Sequence, residues 1–365
     1  MSPRILCFEP SYYPRLGGGE KLGHRFNAAF AAGGAGVRVL TAVPPLDERR
    51  EIDGVDVEYL PAWRWLGFPW FGAARVARAV RELRPSFAVL YGPSPYDVVA
   101  SLLLRALGVP YAAVYLADFD ERRLPTRLAT ALHNAIVLRG ARAIACITDR
   151  MAQRLTARGF GARTIVAHPG VDDAFFATPD GDGRDLLFVG ALDDGHRYKR
   201  LDLLFAALAR LDGDLRLRVV GDGDRRAEAE GWARDAGVAG RVAFLGALDD
   251  ASLAREYATA GVLVLPSPTT QEGFGLVCLE AMAGGAPVVC SVNAGAAAIV
   301  AAASGCAVWN ATDIEDLVRA IERARGATPA DRAALRAYAR RFGWRPAADA
   351  LLAGFSRLIG PSRAE

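Results

Sequence analysis

The chain has 365 residues, of which 52% are hydrophobic and 23% are charged, and its formal net charge is +3. This composition excludes an intrinsically disordered protein, and the length favours two domains over one. The small net charge gives no whole-chain argument for nucleic-acid binding. Five widely spaced cysteines without a C-x-x-C pair are typical of buried thiols in a reducing compartment. The four scattered histidines do not indicate a metal site.

The ends of the chain and its apolar stretches predict a soluble, cytoplasmic protein. Only four residues precede the first apolar run, which is itself too short for the core of a signal peptide. The longest uncharged apolar stretch, 294–309, is rich in Ala and Gly. It is shorter than the roughly 18–20 residues that span a bilayer. We therefore expect no transmembrane segment.

Short β-rich runs alternate with helical patterns along the first half of the chain. Strands are predicted at 5–8, 37–41, 55–60, 87–91, 111–115, 143–148 and 164–167. Helices are predicted between them at 20–32, 73–83, 98–107 and 150–158. This alternation indicates crossover units and a parallel sheet.

A second series of strands begins at residue 186. Its predicted strands lie at 186–189, 215–220, 242–245, 262–265 and 287–290. The stretch 171–184 between the two series contains Pro179, two glycines and several aspartates, so it is the best linker candidate. We therefore predict an α/β protein with two doubly wound parallel-sheet domains, at 1–172 and 173–343.

Two glycine-rich turns follow predicted strands. Gly17, Gly18 and Gly19 precede a predicted helix, where the backbone can approach a ligand closely and free N–H groups favour an anion. A plain tight turn is the alternative. Gly221 ends a strand of the second series, but Arg226 stands where an NAD fingerprint needs another glycine. The second turn therefore does not predict a dinucleotide site.

Lys199 stands out because the chain has 44 Lys and Arg residues but only two lysines, Lys21 and Lys199. A lysine ammonium is a compact point charge for a phosphate, whereas arginine presents a planar fork. Lys199 lies between a predicted strand and a predicted helix, with Arg197 and Arg200 beside it. It is a candidate phosphate ligand, and a solvated surface charge is the alternative.

The segment 272–280 follows an apolar strand and leads into a helix that we expect to begin near Leu276. The loop before the helix consists of Gly273, Phe274, Gly275 and Leu276. The helix N-terminus offers unpaired N–H groups to a diphosphate. Glu272 and Glu280 flank this N-terminus, and carboxylates accept hydrogen bonds from sugar and ribose hydroxyls. Glu280 lies in an apolar helix, where a buried carboxylate needs partners.

These segments resemble the retaining, nucleotide-sugar-dependent glycosyltransferases of family 4. The similarity is an ordered series of motifs. In the second half it comprises 188–190, 198–202, 220–223, 244–246, 264–267, 272–280 and 285–289. Looser matches lie at 17–20, 168–172 and 341–344.

The resemblance implies a GT-B fold, in which two Rossmann-like domains face each other. A last helix, within 344–365, would return to the first domain. The resemblance implies that Glu272 contacts the donor sugar, that Glu280 contacts the ribose and that Lys199 neutralises the diphosphate. The backbone of the loop 273–276 would hold sugar and diphosphate.

Further donor-binding residues are implied around this core. Gly18 and Gly19 are expected to face the diphosphate and the acceptor from the first domain. Gly221 and Arg197 complete the expected donor-binding set. The resemblance implies neither a metal ion nor a cofactor, because lysine, helix dipole and amides stabilise the charge of the leaving group.

The chain departs from the family pattern at two places near the expected chemistry. Ala191 stands where the family commonly has an arginine, and Arg197 or Arg200 are the candidates to replace that charge. Leu116 stands where many members have a histidine, and Asp118 is the remaining polar side chain nearby, which we include among the expected catalytic residues.

The activity implied is transfer of a sugar from a nucleoside-diphosphate sugar to an acceptor hydroxyl, with retention at the anomeric carbon. The acceptor is a small molecule, a saccharide or a lipid-linked compound, and no nucleic-acid partner is expected. A catalytically silent nucleotide-sugar-binding protein is the alternative, motivated by Leu116 and Ala191. A nicotinamide oxidoreductase is a third hypothesis, and the failed glycine fingerprints argue against it.

An aromatic segment precedes a helix that is rich in arginine. Five aromatic residues lie within 63–71. The helix after them carries Arg75, Arg78, Arg81 and Arg84. Aromatic rings beside arginines suit a membrane interface. We therefore keep a peripheral contact of 63–84 with the inner membrane face as a hypothesis, beside ordinary burial of the rings.

Overall fold

The computed structural model describes residues 2–13, 17–42, 48–60, 63–65, 68–70, 72–116, 124–176, 183–311 and 313–360. The chain divides into two compact units. The first unit is formed by Met1–Pro169 and Trp344–Glu365, and the second by Gly170–Gly343. The first division falls at 169/170, where the sequence predicted 172/173.

The first unit is built around an eight-stranded sheet. In chain order, the described strands of the unit, eight in this sheet and two outside it, are β1 (Arg4–Phe8), β2 (Gly36–Thr41), β3 (Glu48–Ile52), β4 (Val55–Tyr59), β5 (Trp63–Trp65), β6 (Phe68–Trp70), β7 (Phe87–Gly92), β8 (Tyr111–Tyr115), β9 (Ala143–Cys146) and β10 (Thr164–Val166). The sheet has the order β10-β9-β8-β7-β1-β2-β4-β3, and β5 pairs separately with β6. Neighbours in the sheet are parallel except β3 with β4. The central strands β1, β7, β8 and β9 are nearly continuous apolar runs, as expected for a parallel sheet buried on both faces.

In the described part of the first unit, five α-helices connect these strands. They are α1 (Gly18–Ala32), α2 (Ala73–Leu83), α3 (Pro95–Ala106), α4 (Leu124–His133) and α5 (Asp149–Ala157). The start of α1 corrects the sequence prediction, because Gly18 and Gly19 lie in its first turn and not in a loop before residue 20. The start of α3 is fixed by a reciprocal cap, in which Ser94 and Asp97 each accept a hydrogen bond from the other's backbone N–H.

The second unit is built around a six-stranded parallel sheet. Its strands are β11 (Leu186–Val189), β12 (Leu217–Val220), β13 (Val242–Gly246), β14 (Val262–Leu265), β15 (Val288–Ser291) and β16 (Ala307–Trp309). They run in the order β13-β12-β11-β14-β15-β16. The chain first moves outward from β11 to β13 and then returns to β14 on the other side of β11. Ligands of such sheets bind beyond the carboxyl ends of the strands at this switch point.

Among the described residues of the second unit, seven α-helices accompany this sheet. They are α6 (Leu201–Leu208), α7 (Arg226–Asp235), α8 (Asp250–Ala258), α9 (Leu276–Ala283), α10 (Ala297–Ala301), α11 (Ile314–Arg325) and α12 (Pro329–Ala339). Helix α6 buries the apolar stripe that its sequence predicts, which includes Leu204 and Phe205. The expected linker is partly buried in the second unit, where Phe175 is fully buried and packs edge-on against Tyr257 of α8. Residues 177–182 of the linker lie outside the described residues.

The last helix, α13 (Trp344–Ile359), belongs to the first unit. Trp344 packs edge-on against Phe26 of α1, with ring centroids 5.5 Å apart. Phe355 packs in the same way on Phe87 at the start of β7, at 5.8 Å. The expected return of a C-terminal helix to the first domain is therefore confirmed. The predicted fold class, α/β with two parallel-sheet domains, is confirmed as well.

Candidate donor site

The predicted donor residues of the second unit gather at the switch point of its sheet. Lys199 follows β11, and Glu272 follows β14, the strand that pairs with β11. The two residues are 73 positions apart in sequence. Three crossover connections, from β11 through β12 and β13 to β14, therefore bring them together at the carboxyl ends of two neighbouring strands.

Lys199 and Glu272 form a buried ion pair. Lys199 Nζ donates a hydrogen bond to Glu272 Oε2 at 2.8 Å, and the two side chains are 11% and 9% exposed. The hydroxyl of Ser267 donates to the same oxygen at 3.4 Å. Among the described residues, both contacts of Glu272 end on Oε2, so Oε1 remains for a hydroxyl of a ligand. Lys199 is thus not the solvated charge that the sequence left open.

Two glycines make room for the lysine. A Cβ at Gly190 would lie 2.7 Å from Lys199 Cδ, so any larger residue at the end of β11 would displace the lysine side chain. Gly221 has a φ of +129° after β12, and a Cβ there would collide with the Gly190 carbonyl. Gly221 therefore acts through packing against Gly190, which explains a glycine-rich strand end without an NAD fingerprint.

The loop 273–276 sets the start of α9. Gly275 is in the left-handed conformation with φ +91°, and a Cβ there would lie 2.9 Å from Leu265. Phe274 and Leu276 are buried, and Gly273 is half-buried. Among the described residues, no side chain caps the N-terminus of α9. Its first N–H groups and its partial positive charge are therefore available to an anion.

A second segment, 293–296, fixes this loop from outside and was missed by the sequence analysis. The backbone N–H of Gly295 donates to the Glu272 carbonyl at 3.1 Å, and that of Ala296 donates to the Phe274 carbonyl at 2.7 Å. A Cβ at Gly295 would collide with the carbonyl oxygen of Gly273. The turn-forming residues Asn293 to Gly295 could have indicated a turn here. Their contact with the loop 273–276 could not be predicted from the sequence.

Glu280 lies one turn into α9 and is 5% exposed. Its neighbours Leu279 and Ala281 are fully buried. The hydroxyl of Tyr257 on α8 donates a hydrogen bond to Glu280 Oε2 at 2.9 Å. The sequence analysis predicted that this carboxylate needs a partner but did not identify Tyr257.

The arginines beside Lys199 differ in their surroundings. The guanidinium of Arg200 donates to the Asp202 carboxylate at 2.7–3.1 Å, so its charge is already balanced. Arg197 is 63% exposed and lies 3.7 Å from Asp194. Arg197, Arg200 and Ala191 all line the same small cavity as Lys199. Because Arg200 is hydrogen-bonded to Asp202 and Arg197 lies 3.7 Å from Asp194, Arg197 is the candidate to replace the missing arginine that the geometry favours.

Two residues of the glycine-rich turn of the first unit, Gly18 and Gly19, have no packing reason to be glycine. Gly18 and Gly19 are exposed, and a Cβ at either position would meet no described atom within 4 Å. Neither residue has a positive φ. Free space at two adjacent glycines in the first turn of α1 is what the close approach of a ligand requires.

The expected acceptor-side residues are only partly described. Leu116 follows β8, and its backbone N–H donates to the Gly92 carbonyl at 2.8 Å. Asp118 lies outside the described residues. Within the part of the chain that the structure describes, no group of three His, Cys, Asp or Glu side chains has a metal-binding arrangement. In the same residues, no helix has the length and apolar character needed to cross a bilayer.

Two family profiles together match most of the chain. Glycosyl transferases group 1 matches residues 172–342, and Glycosyl transferase 4-like domain matches residues 17–170. The chain is 33% identical over 274 residues to a D-inositol 3-phosphate glycosyltransferase of Mycobacterium tuberculosis. That alignment covers 68% of this chain and 55% of the relative, so the chain spans about half the length of the curated relatives it matches.

Solved structures with the same fold cover nearly the whole chain. Sucrose-phosphate synthase from Thermosynechococcus elongatus superposes with a TM-score of 0.77 and 20% identity, over 98% of this chain and 99% of that one. Anabaena HepE in complex with UDP-glucose gives a TM-score of 0.77 and 19% identity, over 98% and 100%. The strand-end lysine, the two glutamates and the loop between them thus stand on a fold that these enzymes share. The chain belongs to the family 4-like glycosyltransferases of GT-B fold.

Proposed function

We propose that this chain transfers a sugar from a nucleoside-diphosphate sugar to an acceptor hydroxyl, with retention of anomeric configuration and without a metal ion. The observation that carries the proposal is the Lys199–Glu272 pair beside the uncapped N-terminus of α9. A cation and free N–H groups at one place suit a diphosphate. Glu272 and Glu280 add acceptors for sugar and ribose hydroxyls at the same end of the helix.

The diphosphate would act as the leaving group and would compete with Glu272 for Lys199. As the bond from the anomeric carbon to the diphosphate oxygen breaks, negative charge grows on that oxygen. Lys199 and the first N–H groups of α9 stabilise this charge without further reorganisation. The acceptor oxygen then forms the new bond on the face that the diphosphate leaves, and the acceptor proton passes to the departing phosphate. This front-face course retains the configuration.

A catalytically silent nucleotide-sugar-binding protein is the second candidate. Ala191 and Leu116 favour it, because the family commonly has charged or basic side chains at these two places. The donor site described above would be the same in both cases. Turnover therefore distinguishes the two functions, whereas donor binding does not.

Three classes of acceptor are proposed for this chain. One curated relative is named for D-inositol 3-phosphate, so inositol phosphates belong in the acceptor panel. Saccharides and lipid-linked compounds belong there too. We propose a cytoplasmic location, with the acceptor met in solution or at the inner membrane face.

The test is a binding screen followed by turnover. Purified protein is titrated calorimetrically with nucleoside-diphosphate sugars of different bases, and the best donor is incubated with the acceptor panel. We expect binding of one donor class, transfer, and a product whose anomeric configuration by NMR equals that of the donor. Binding without hydrolysis or transfer would favour the silent protein, an inverted product would overturn retention, and loss of transfer on adding EDTA would overturn metal independence.

We also propose a peripheral contact of the first unit with anionic membranes through the segment 63–84. The unit carries 25 Lys and Arg residues against 16 Asp and Glu. The pair β5–β6 lies next to α3, where Leu102 is 49% exposed, and the neighbouring α4 exposes Leu128 and Leu132 by 63% and 52%. Exposed leucines on a positively charged unit suit the surface of anionic lipids.

The arginine face of α2 contributes less to this contact than its sequence suggests. Arg78 donates to Glu58 at 2.7 Å and lies 3.6 Å from Glu82, so its charge is balanced within the unit. Arg81 and Arg84 are exposed. The side chains of 63–71 are not among those described. The proposal therefore rests on the charge of the unit and on the exposed leucines of α3 and α4.

A further inference from the structure

The carboxylate of Glu280 lies in a buried, largely apolar environment. It lies in α9 among fully buried apolar residues and is only 5% exposed. Burial of a carboxylate is costly unless hydrogen bonds compensate for the lost water. Donors that reach Glu280 therefore determine where its oxygens lie.

Tyr257 is such a donor and is itself fully buried. Its hydroxyl oxygen lies 2.9 Å from Glu280 Oε2. Loss of water on burial, reinforced by the charge of Glu280, raises the pKa of Tyr257 well above its usual value. The phenol thus keeps its proton and donates at any pH at which the protein works.

Tyr257 is closely packed both at its ring and at its Cβ. Phe175 packs edge-on against it, with centroids 5.6 Å apart and planes at 70°. Helix α9 approaches α8 closely at Gly284, where a Cβ would lie 2.8 Å from Tyr257 Cβ. Full burial, the Phe175 contact and the close approach of α9 at Cβ restrict the tyrosine, so its hydroxyl has a defined position relative to Glu280.

We propose that Tyr257 is a positioning residue of the donor site, which orients the Glu280 carboxylate toward the ribose hydroxyls of the donor. The inference rests on the proposed function, in which Glu280 binds the ribose. Tyr257 itself touches no substrate. It acts by restricting the carboxylate to one orientation before the donor binds, so that little order is lost on binding.

Selectivity for ribose is the readout that separates this role from a structural one. A well-placed carboxylate discriminates between UDP and 2′-deoxy-UDP, because the second ligand lacks a hydroxyl that donates to it. A variant that merely loosens the fold weakens both ligands equally. The ratio of two dissociation constants measured on one sample also cancels any inactive fraction of protein.

The experiment is a double-mutant cycle of Tyr257→Phe and Glu280→Gln, with both ligands titrated calorimetrically. If another base is preferred in the donor screen, its nucleotide pair replaces UDP and 2′-deoxy-UDP. We expect Tyr257→Phe to weaken UDP by about 5- to 30-fold and to reduce the ribose selectivity. In the Glu280→Gln background the same change should alter UDP affinity by less than about 2-fold, because the group it positions is gone.

Tyr111→Phe is the matched control. Tyr111 is a buried tyrosine of the first unit whose hydroxyl donates to the Val137 carbonyl at 2.8 Å. Loss of this hydroxyl, which also lies 3.4 Å from the Ile136 carbonyl, removes buried hydrogen bonding but leaves Glu280 untouched, so nucleotide affinity should stay unchanged. Melting temperatures of both variants show whether each remains folded at the titration temperature.

The outcomes distinguish the positioning role of Tyr257 from the ribose-binding role of Glu280. Wild-type affinity and selectivity in Tyr257→Phe, with a clear loss in Glu280→Gln, overturn the positioning role alone. Equal effects of Tyr257→Phe in both backgrounds overturn it as well. An unchanged affinity in Glu280→Gln overturns the ribose-binding role of Glu280, and with it the proposed donor site.

Discussion

Lys199 Nζ lies 2.8 Å from Glu272 Oε2, so the two side chains expected to hold opposite parts of the donor already bind each other. The pair keeps both charges at the switch point of the sheet, where neither is exposed by more than about a tenth. In the proposed donor site, a diphosphate that reaches Lys199 would release Glu272 for the sugar. Binding of the two halves of the donor would thereby be coupled.

The first prediction concerns this pair. Lys199→Ala leaves the Glu272 carboxylate buried without its cation, which should lower the free energy of unfolding by about 3–5 kcal/mol. We expect transfer to fall by roughly 100-fold or more, because a group that stabilises the leaving phosphate is lost. Lys199→Arg should recover only part, since a planar fork does not reproduce a point charge. Calorimetric unfolding and kcat/KM measure the two effects.

Stability and activity are separated by a double variant. Lys199→Ala combined with Glu272→Ala removes both charges, so it should regain much of the stability but none of the transfer. Arg200→Ala is the matched control, because its exposed guanidinium pairs with Asp202 and should not affect transfer. Wild-type transfer by Lys199→Ala would remove Lys199 from the mechanism.

The second prediction concerns Gly19. Gly19→Ala adds a methyl group that meets no described atom and replaces glycine by a better helix former in α1. The variant should be more stable, by a few tenths to about 1 kcal/mol, and yet transfer more slowly. Gly231→Ala within α7 is the control, because its Cβ meets only the end of Arg234 at 3.7 Å. Equal activity of the two variants would show that no ligand approaches Gly19.

The third prediction concerns the support of the donor loop. A Cβ at Gly295 has no room beside the Gly273 carbonyl, so Gly295→Ala must shift the loop 273–276. We expect a loss of about 1–3 kcal/mol of stability and weaker donor binding by titration. Gly213→Ala is the control, since nothing lies within 4 Å of its Cβ. A folded Gly295→Ala with native donor affinity would show that the loop is not preorganised by this contact.

The fourth prediction concerns Glu9, which follows β1 and is 3% exposed. Asn27 Nδ2 donates to Glu9 Oε1 at 2.7 Å, but loss of water on burial dominates and raises the pKa of Glu9 well above its usual value. The folded state therefore binds the proton more tightly than the unfolded state. Its contribution to stability is fully present below the ordinary pKa of glutamate and is lost as pH rises toward the folded pKa.

Glu9→Gln removes this dependence while nearly keeping the shape of the side chain. The variant should be more stable than the wild type at about pH 8, and the difference should shrink toward about pH 4. Urea unfolding at several pH values measures it. Glu51→Gln, at an exposed position of β3, is the control and should behave like the wild type. A constant difference across this range would mean that Glu9 does not titrate between the two states.

The fifth prediction concerns the membrane. The protein should sediment with anionic liposomes at low salt and be released as salt rises. Leu128→Ser with Leu132→Ser should reduce sedimentation, and so should Trp65→Ser with Trp70→Ser. Leu245→Ser, at an exposed leucine of the second unit, should not. Protein that stays in the supernatant at low salt would favour a soluble acceptor.

Apolar runs allowed most of both sheets to be predicted. The strands of a parallel sheet are buried on both faces, so β1, β8 and β11 are visible as continuous hydrophobic stretches. The edge strand β3, with the sequence E-R-R-E-I, has no such stretch because it is mostly exposed. Strand β16 has only three residues, and β5 and β6 pair outside the main sheet. These four strands were not predicted, because a short or exposed strand has no apolar run that marks it and depends on pairing with a neighbour that the local sequence does not show.

The site was predicted residue by residue but not as a set of contacts. The scarcity of lysine singled out Lys199, and the motif 272–280 singled out Glu272, Glu280 and the loop between them. The sequence analysis could not indicate that Lys199 bonds Glu272 across 73 positions or that Tyr257 bonds Glu280, because these distances follow from helix and strand packing. It also placed Gly18 and Gly19 in a loop, since glycine is a poor helix former.

The scarcity of lysine makes Lys199 a chemical reporter of its own site. Lys21 is the only other lysine, so an amine-directed acylating reagent can mark two side chains and the chain terminus. In the proposed donor site a bound diphosphate would cover Lys199, whose side chain is already only 11% exposed, so a reagent in solution would reach the amine less often. The acylation ratio of Lys199 to Lys21, read by mass spectrometry, therefore reports occupancy of the site without a labelled donor or an assay of the reaction.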